Sequence, residues 1–125
     1  MTHCPACSEK AISVGALNRT GDNVATFSCK GHTNSTKPDL LTSGYGVTQY
    51  QGITDNYYGT SFTAPVVAGI VAANINMIRN IQNVKQYLIM SCDPILDVVP
   101  SKQGAGKLNL SKLLEVISHE KESNT

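Results

Sequence analysis

The longest apolar run of this 125-residue sequence, residues 62–73, constrains the fold most strongly. It is interrupted only by Thr63, and it contains Pro65 and Gly69. The run is too short to cross a bilayer, which needs about 20 residues. It therefore predicts a helix buried in a protein core. The apolar spacing of that helix continues past the run, through Val67, Ile70, Val71, Ile75 and Ile78.

Extended segments precede the predicted helix. Residues 11–17 place small or apolar side chains on both faces, which is typical of a strand covered on both sides in a parallel sheet. A second short core strand is predicted over residues 39–42. Residues 47–50 and 53–58 predict a hairpin around Gln51-Gly52 because they are rich in Val, Ile, Thr and Tyr. This order of elements indicates an α/β fold.

Two more helices are predicted after the buried one. The first begins near Asn83, and the last begins near Asn109, a good N-cap residue. Residues 91–106 between them contain Pro and Gly and predict an irregular connection. The segment from residue 119 to residue 125 is expected to be a polar, frayed tail. The side chains expected to face inward from these two helices are Val84, Tyr87, Leu88, Leu110, Leu113, Leu114 and Ile117.

The charge of the chain excludes two classes of binding protein. Lys and Arg number 10 against 9 Asp and Glu, which gives a net charge of +1. A nearly neutral chain lacks the basic surface that binds nucleic acid or an anionic membrane, so neither partner is expected. No positively charged segment followed by an apolar one is visible at the N-terminus, and no secretory signal is predicted. The function must therefore reside in a specific site.

The residues that precede the apolar helix carry the chemistry: Gly59-Thr60-Ser61-Phe62-Thr63-Ala64-Pro65. Ser61 lies where a helix begins, so unpaired N–H groups and the helix dipole surround it with partial positive charge. An oxyanion formed by attack of Ser61 on an acyl group would be stabilised there by the Ser61 N–H. Gly59 has no side chain, so a substrate backbone can approach closely. Pro65 has no N–H, but an N–H in the first turn of a helix would have no partner within the helix. A serine that merely caps the helix is the alternative.

This segment resembles the active-site serine motif of the subtilisin-like serine peptidases, the subtilases. Four further segments resemble the same family in the same order, and the resemblance as a whole extends over roughly residues 11–117. They are Ala11-Ile12-Ser13-Val14-Gly15-Ala16; Val24-Ala25-Thr26-Phe27-Ser28 with Gly31; Lys37-Pro38-Asp39-Leu40 with Gly44; and Gly104-Ala105-Gly106-Lys107-Leu108-Asn109. Ser43 stands where the family usually has proline. The segment Cys92-Asp93-Pro94, followed by residues 106–109, is also similar to the peptidases of cyanobactin maturation.

The resemblance implies a fold, a reaction and a substrate. The fold is the C-terminal portion of the three-layer α/β/α subtilase domain, with a mostly parallel sheet. Residues 1–118 would form a partial catalytic domain, followed by the polar tail. The reaction is serine endopeptidase hydrolysis through an acyl-enzyme on Ser61, within a motif that includes Gly59, Thr60 and Pro65. The substrate is a peptide or protein, and no cofactor and no metal are implied.

The same resemblance identifies what this sequence lacks. Subtilases use Asp, His and Ser in that order, in Asp-Ser/Thr-Gly, His-Gly-Thr and serine motifs, and the first two motifs do not occur here. The upstream Asn that completes the oxyanion hole is also missing. An upstream part of the domain is therefore expected to supply the triad, and these residues alone are expected to be inactive. A non-catalytic truncated subtilase is the alternative. Secretion is the family default, and the compartment of this chain is left open.

Two residue pairs have the spacing of a metal site. Cys4 with Cys7 and Cys29 with His32 would form a Cys₃His zinc site. A small zinc-binding module is accordingly a further functional hypothesis. A disulfide from Cys29 to Cys4 or Cys7 is a second option. Plain thiols are favoured over both, because cysteines are common as small buried apolar residues.

Other polar and aromatic residues are expected to be structural. His3, His32 and His119 are expected to be surface residues. None of them is expected to act as the base for Ser61, because a substitute base would need the specific geometry of a triad. Asp39 is expected to be a turn or cap carboxylate. Two roles remain open for Phe62 and for the four hairpin tyrosines, which are Tyr45, Tyr50, Tyr57 and Tyr58. They could line a peptide cleft, or they could pack against neighbouring side chains.

Overall fold

The computed structural model describes residues 5–32 and 35–123. Its strands are β1 (Val14–Leu17), β2 (Leu40–Ser43), β3 (Tyr45–Tyr50), β4 (Ile53–Tyr58), β5 (Cys92–Asp93) and β6 (Lys107–Leu108). Its helices are a 3₁₀ turn (Thr60–Phe62), α1 (Thr63–Ala73), α2 (Ile75–Ile78), α3 (Val84–Met90), α4 (Pro100–Gln103) and α5 (Leu110–Ser123).

The main sheet is mostly parallel, which confirms the predicted α/β class. Its order is β1-β2-β6-β5, with β1, β2 and β6 parallel and β5 antiparallel to β6. Val14 lies opposite Leu40, and Leu41 lies opposite Lys107. The strands β3 and β4 form the predicted hairpin as a separate two-stranded sheet. The predicted irregular connection at residues 91–106 is instead partly regular, because it contains β5 and α4.

The main hydrophobic core joins the sheet to the helices. It is built from one or two buried side chains of each contributing element: Leu40, Val67, Ile78, Leu88, Cys92, Leu113 and Ile117. Each burial removes apolar surface from water, at about 25 cal/mol per Å². The helices that follow α1 are therefore held to β2 by packing rather than by local propensity alone.

The helix predicted to be buried is largely exposed. Only Thr63 and Val67 of the 11 residues of α1 are buried, and Val66 keeps 41% of its surface accessible. A helix that is apolar on every side is normally covered on every side, yet no described part of the chain covers its outer face. An open groove of about 410 Å³ lies between α1 and β1, lined by Ile12, Val14, Ala64, Val67, Ala68, Val71, Ala72 and Ile75. None of the helices in the described residues is long and apolar enough to span a membrane.

The apolar helix also ends earlier than its sequence pattern indicates. Asn74 leaves the helical conformation, with φ −111° and ψ 20°, and its side-chain amide donates to the carbonyl of Ile70 at 2.8 Å. An Asn side chain competes in this way for backbone groups. The short helix α2 then begins a new turn at Ile75.

The last helix begins as predicted but differs in burial and length. The Asn109 side chain caps it by accepting from the Lys112 N–H at 3.2 Å, which confirms the predicted N-cap. Leu113 and Ile117 are buried, but Leu110 and Leu114 are 46% and 38% exposed, so their predicted burial is wrong. The helix contacts the core through Leu113 and Ile117, which are four residues apart and so lie on one narrow face. Leu110 and Leu114 lie beside that face and remain exposed. It also continues to Ser123, so the predicted frayed tail is helical from residue 119 to residue 123.

A buried charge cluster joins the start of the sheet to α3. The Asp39 carboxylate, only 5% exposed, accepts from the Ser13 N–H at 2.8 Å and from Lys37 Nζ at 2.7 Å. Lys85 Nζ lies 3.3 Å from its other oxygen. Lys37 Nζ also donates to the Ala11 carbonyl at 2.7 Å. The expectation of a turn or cap carboxylate is therefore wrong, because Asp39 forms ion pairs with two lysines from separate segments.

Replacing Asp39 by Asn should lower the free energy of unfolding by about 3–5 kcal/mol, because it leaves a buried lysine without its counter-charge. Urea denaturation followed by circular dichroism measures this change. The matched control is Lys112→Ala, which removes an exposed ion pair to Asp93 at 2.7 Å. That control should cost no more than about 1 kcal/mol. Equal losses in the two variants would contradict the importance assigned to the buried cluster.

Because the Cys92 thiol is buried, the folded chain is expected to lose stability at alkaline pH. Cys92 is buried and donates to the Leu88 carbonyl at 3.3 Å, and burial, with the nearby Asp93 carboxylate, raises the pKa of this thiol to about 11. The unfolded chain, with a thiol pKa of about 8.5, loses this proton first as the pH rises. The contribution of Cys92 to folding stability is therefore complete below about pH 8.5 and is lost progressively toward pH 11.

Chemical denaturation at pH 8, 9, 10 and 11 tests this titration. The slope of stability against pH should be smaller in Cys92→Ala than in the wild-type chain, since the other titrating groups are common to both. Identical slopes in the two proteins would show that burial does not raise the Cys92 pKa.

Candidate active site

The turn that carries Ser61 connects the hairpin to α1. Gly59 ends the hairpin with φ +143°, a conformation that residues with a side chain rarely adopt. Its N–H donates to the Gly44 carbonyl at 2.9 Å, which ties this turn to the end of β2. Thr60, Ser61 and Phe62 then form one 3₁₀ turn, and α1 follows directly. Pro65 is the third residue of α1, where the missing N–H removes no helical hydrogen bond.

Ser61 is exposed at the start of the helix. Within residues 5–32 and 35–123, neither its hydroxyl nor its backbone N–H has a hydrogen-bond partner. The N-cap of α1 is Phe62, and no side chain caps the helix, so the interpretation of Ser61 as a helix cap is wrong. A free hydroxyl and a free N–H at the positive end of a helix can attack an acyl group and bind the resulting oxyanion. The catalytic role of Ser61 stays a prediction.

An apolar cavity of about 310 Å³ opens beside Ser61. It brings together the segment before β1, the Cys29 loop and the serine turn. Its lining is Ala6, Ile12, Ser13, Val14, Cys29, Pro38, Thr60, Ser61 and Ala64. A recess of this kind, with a few polar groups at one side, is suited to hold a side chain of a bound peptide.

Thr63 anchors the serine turn from inside the protein. Its side chain is fully buried, and its hydroxyl lies 2.7 Å from the Thr60 carbonyl oxygen and 3.2 Å from that of Val14. Its own carbonyl accepts from the Thr42 hydroxyl at 3.4 Å. The sequence interpretation gave Thr63 no role. The available signal was that Thr63 is the only polar residue within the apolar run.

Two aromatic groups separate the roles that the sequence left open. Tyr57 and Phe62 pack against each other next to Ser61, with ring centroids 5.1 Å apart. Tyr45 and Tyr58 instead pack against Phe27, with both centroids 5.6 Å from the Phe27 ring. Tyr57 therefore lies beside the serine turn, and Tyr45 and Tyr58 belong to a packing cluster around Phe27. Tyr50 is 71% exposed at the end of β3, next to the hairpin turn.

The described residues of the hypothetical zinc site, Cys7, Cys29 and His32, do not form a metal site. Cys7 is disulfide-bonded, whereas Cys29 is a free thiol. The disulfide from Cys29 to Cys4 or Cys7 is therefore wrong, and the favoured plain thiol is confirmed for Cys29 but wrong for Cys7. The Cys29 sulfur lies 3.9 Å from the Thr60 hydroxyl and therefore faces the serine turn. No group of three metal-ligating side chains occurs within the described ranges, so Cys7, Cys29 and His32 form no site there. Cys4 lies outside the described residues.

No histidine that the structure describes is bonded to Ser61. His32 and His119 are both exposed, as expected, and His3 lies outside the described residues. Asp39 is also unavailable as a catalytic acid, because Ser13 and two lysines occupy its carboxylate. The described residues therefore present a serine with an unpaired backbone N–H and no histidine or available carboxylate bonded to it.

Comparison with known proteins identifies the family of this chain. A model of the subtilase family, peptidase S8, matches residues 1–109. Membrane-bound transcription factor site-1 protease of Mus musculus is 34% identical over 129 residues, which cover 91% of this chain and 12% of that protein. Subtilisin-like protease SBT6.1 of Arabidopsis thaliana is 28% identical over 131 residues, which cover 90% of this chain and 12% of that protein. The chain thus spans about an eighth of the length of these relatives.

Solved structures agree with the sequence comparison. The CspB protease of Clostridium perfringens matches with a TM-score of 0.78 and 30% identity, over 92% of this chain and 28% of that one. The patellamide maturation protease PatA matches with a TM-score of 0.74 and 28% identity, over 92% of this chain and 46% of that one. These matches confirm the predicted fold and the similarity to cyanobactin-maturation proteases. Sequence and structure together show that the chain belongs to the subtilase family.

Proposed function

We propose that this chain supplies the nucleophile and one oxyanion donor of a subtilisin-type serine endopeptidase. The observation that carries the proposal is the geometry of Ser61. Among the residues that the structure describes, neither its hydroxyl nor its N–H has a hydrogen-bond partner, and both lie at the positive end of α1 beside an apolar cavity of about 310 Å³. Membership of the subtilase family supports the reaction class.

The proposed reaction is acyl transfer through Ser61. The serine oxygen attacks the scissile carbonyl carbon while its proton passes to a base. The Ser61 N–H donates to the oxyanion, and the start of α1 adds its dipole. The C–N bond then breaks, the amine leaves with the proton from the base, and water hydrolyses the acyl-enzyme.

This reaction needs residues beyond those the structure describes around Ser61. A serine hydroxyl is a weak nucleophile unless a base lies beside it. We propose that a histidine and an aspartate from a further part of the catalytic domain supply the base and its orienting carboxylate, as the family resemblance implies. The substrate class is peptide or protein, and acyl transfer of this kind requires no cofactor.

The exposed face of α1 supports the need for further polypeptide. Val66 and Ile75 keep 41% and 48% of their surface accessible, and the groove between α1 and β1 is almost wholly apolar. The two matching structures PatA and CspB are about two and three times as long as this chain, which covers 46% of PatA and 28% of CspB. We propose that the remainder of the domain packs on α1 and brings the base to Ser61.

The alternative is a chain that binds peptides without hydrolysing them. It is favoured by one observation, the lack of a base beside Ser61 within the described residues. The two functions differ in whether Ser61 becomes reactive when the missing motifs are supplied.

The 125-residue chain alone should show no peptidase turnover and no labelling by a fluorophosphonate probe, because labelling requires an activated serine. In subtilisin, loss of the serine or histidine lowers kcat by about 10⁶. Joined to an upstream segment with the missing Asp and His motifs, the same chain should be labelled at Ser61. Mass spectrometry of the labelled peptide locates the modified residue.

Two variants control this experiment. In the joined protein, Ser61→Ala should abolish both labelling and cleavage, whereas Ser118→Ala, on the exposed face of α5, should change neither. Stoichiometric labelling of Ser61 in the chain alone would refute the need for a further base. A joined protein that binds peptide but is never labelled would favour the non-catalytic alternative.

A further inference from the structure

Thr63 is a buried polar residue whose hydroxyl is directed at the serine turn. Burying a hydroxyl is unfavourable unless it is hydrogen-bonded. Here it lies 2.7 Å from the Thr60 carbonyl oxygen, with the Val14 carbonyl as a longer second acceptor at 3.2 Å. The Thr63 backbone N–H donates to the same Thr60 oxygen. One carbonyl therefore accepts two hydrogen bonds from a single residue.

The Thr60 carbonyl and the Ser61 N–H belong to the same peptide group. That group is planar, so hydrogen bonds that fix the carbonyl also fix the direction of the N–H. Donation to the carbonyl polarises the peptide group and strengthens its N–H as a donor. The Ser61 N–H points away from these bonds and has no acceptor in the described part of the chain.

We propose that Thr63 is a positioning residue for oxyanion stabilisation. Acting through the Thr60–Ser61 peptide group, its hydroxyl orients the Ser61 N–H and makes it a stronger donor. Helix capping does not account for this hydroxyl, because α1 has no side-chain cap. The role in oxyanion stabilisation rests on the proposed function. The polarisation of the Thr60–Ser61 peptide group does not, because it depends only on the hydrogen bonds to the Thr60 carbonyl.

The chain offers variants that separate this role from simple packing. Thr63→Ser keeps the hydroxyl, and Thr63→Val keeps the shape but removes it. Thr42→Val is the matched control, because it removes the hydrogen bond to the Thr63 carbonyl and leaves the bond to Thr60 intact. Loss of packing alone would affect the two valine variants alike.

The first measurement uses the joined, active protein. Thr63→Val should lower kcat for a peptide amide about 10-fold with KM unchanged, since the affected interaction forms with the oxyanion and not with bound substrate. The affinity for a peptide boronic acid, which places an oxygen at the oxyanion position, should fall by a similar factor. Thr63→Ser should retain the wild-type kcat, and Thr42→Val should lower kcat clearly less than Thr63→Val does, because it leaves the bond to the Thr60 carbonyl intact.

The second measurement needs no activity. In the ¹⁵N-labelled 125-residue chain, the Ser61 amide nitrogen resonance reports hydrogen bonding to the Thr60 carbonyl. It should move upfield in Thr63→Val and remain in place in Thr63→Ser and Thr42→Val. The overall dispersion of the spectrum shows in each case that the variant is folded.

The outcomes of the two measurements are distinguishable. An inactive joined wild-type protein would refute the proposed function, and the Ser61 resonance would then decide whether Thr63 polarises the peptide group. An unchanged Ser61 resonance in Thr63→Val would overturn the inference. So would equal losses of kcat in Thr63→Val and Thr42→Val, or in Thr63→Val and Thr63→Ser, because they would indicate a packing role.

Discussion

One buried carboxylate determines how the first strand of the sheet begins. Asp39 precedes β2, and it accepts from the N–H and hydroxyl of Ser13, directly before β1, while two lysines form ion pairs with it. The pairing of β1 with β2 is parallel, so no short turn between them fixes their register. The carboxylate and its partners provide that fixed point at the place where both strands enter the core.

The position of Ser61 follows from the same two strands. Val14 comes directly after Ser13, and its carbonyl lies within reach of the Thr63 hydroxyl. Thr42, near the end of β2, donates to the Thr63 carbonyl. The hairpin adds a third attachment, because Gly59 donates to Gly44. The serine turn is thus attached at three points to a sheet whose register is fixed by Asp39, which is how a rigid scaffold holds reactive groups in place.

The features that the sequence predicted are those that depend on local chemistry. The hairpin around Gln51-Gly52 and the Asn109 cap involve residues only a few positions apart, and the serine motif is contiguous. The features it missed depend on distant partners. Lys85 meets Asp39 from 46 residues away, and the exposure of α1 depends on which polypeptide lies beside it. The helical spacing predicted that Leu110 and Leu114 face inward, but it carried no information on how much of the α5 surface the core would cover.

The backbone of the serine turn sets unequal limits on sequence variation around it. Gly59 adopts φ +143°, where any L side chain is strained by about 1–3 kcal/mol, even though an added Cβ would make only ordinary contacts, the nearest at 3.7 Å from the Phe62 ring. Phe62, three residues later, has a negative φ of −102° and an exposed ring that contacts only the Tyr57 ring among the aromatic groups described. Side-chain size can therefore diversify at position 62 without disturbing the turn, whereas position 59 is closed to change. Among related proteins, amino-acid differences at the rim of this site should therefore occur at position 62 rather than at position 59.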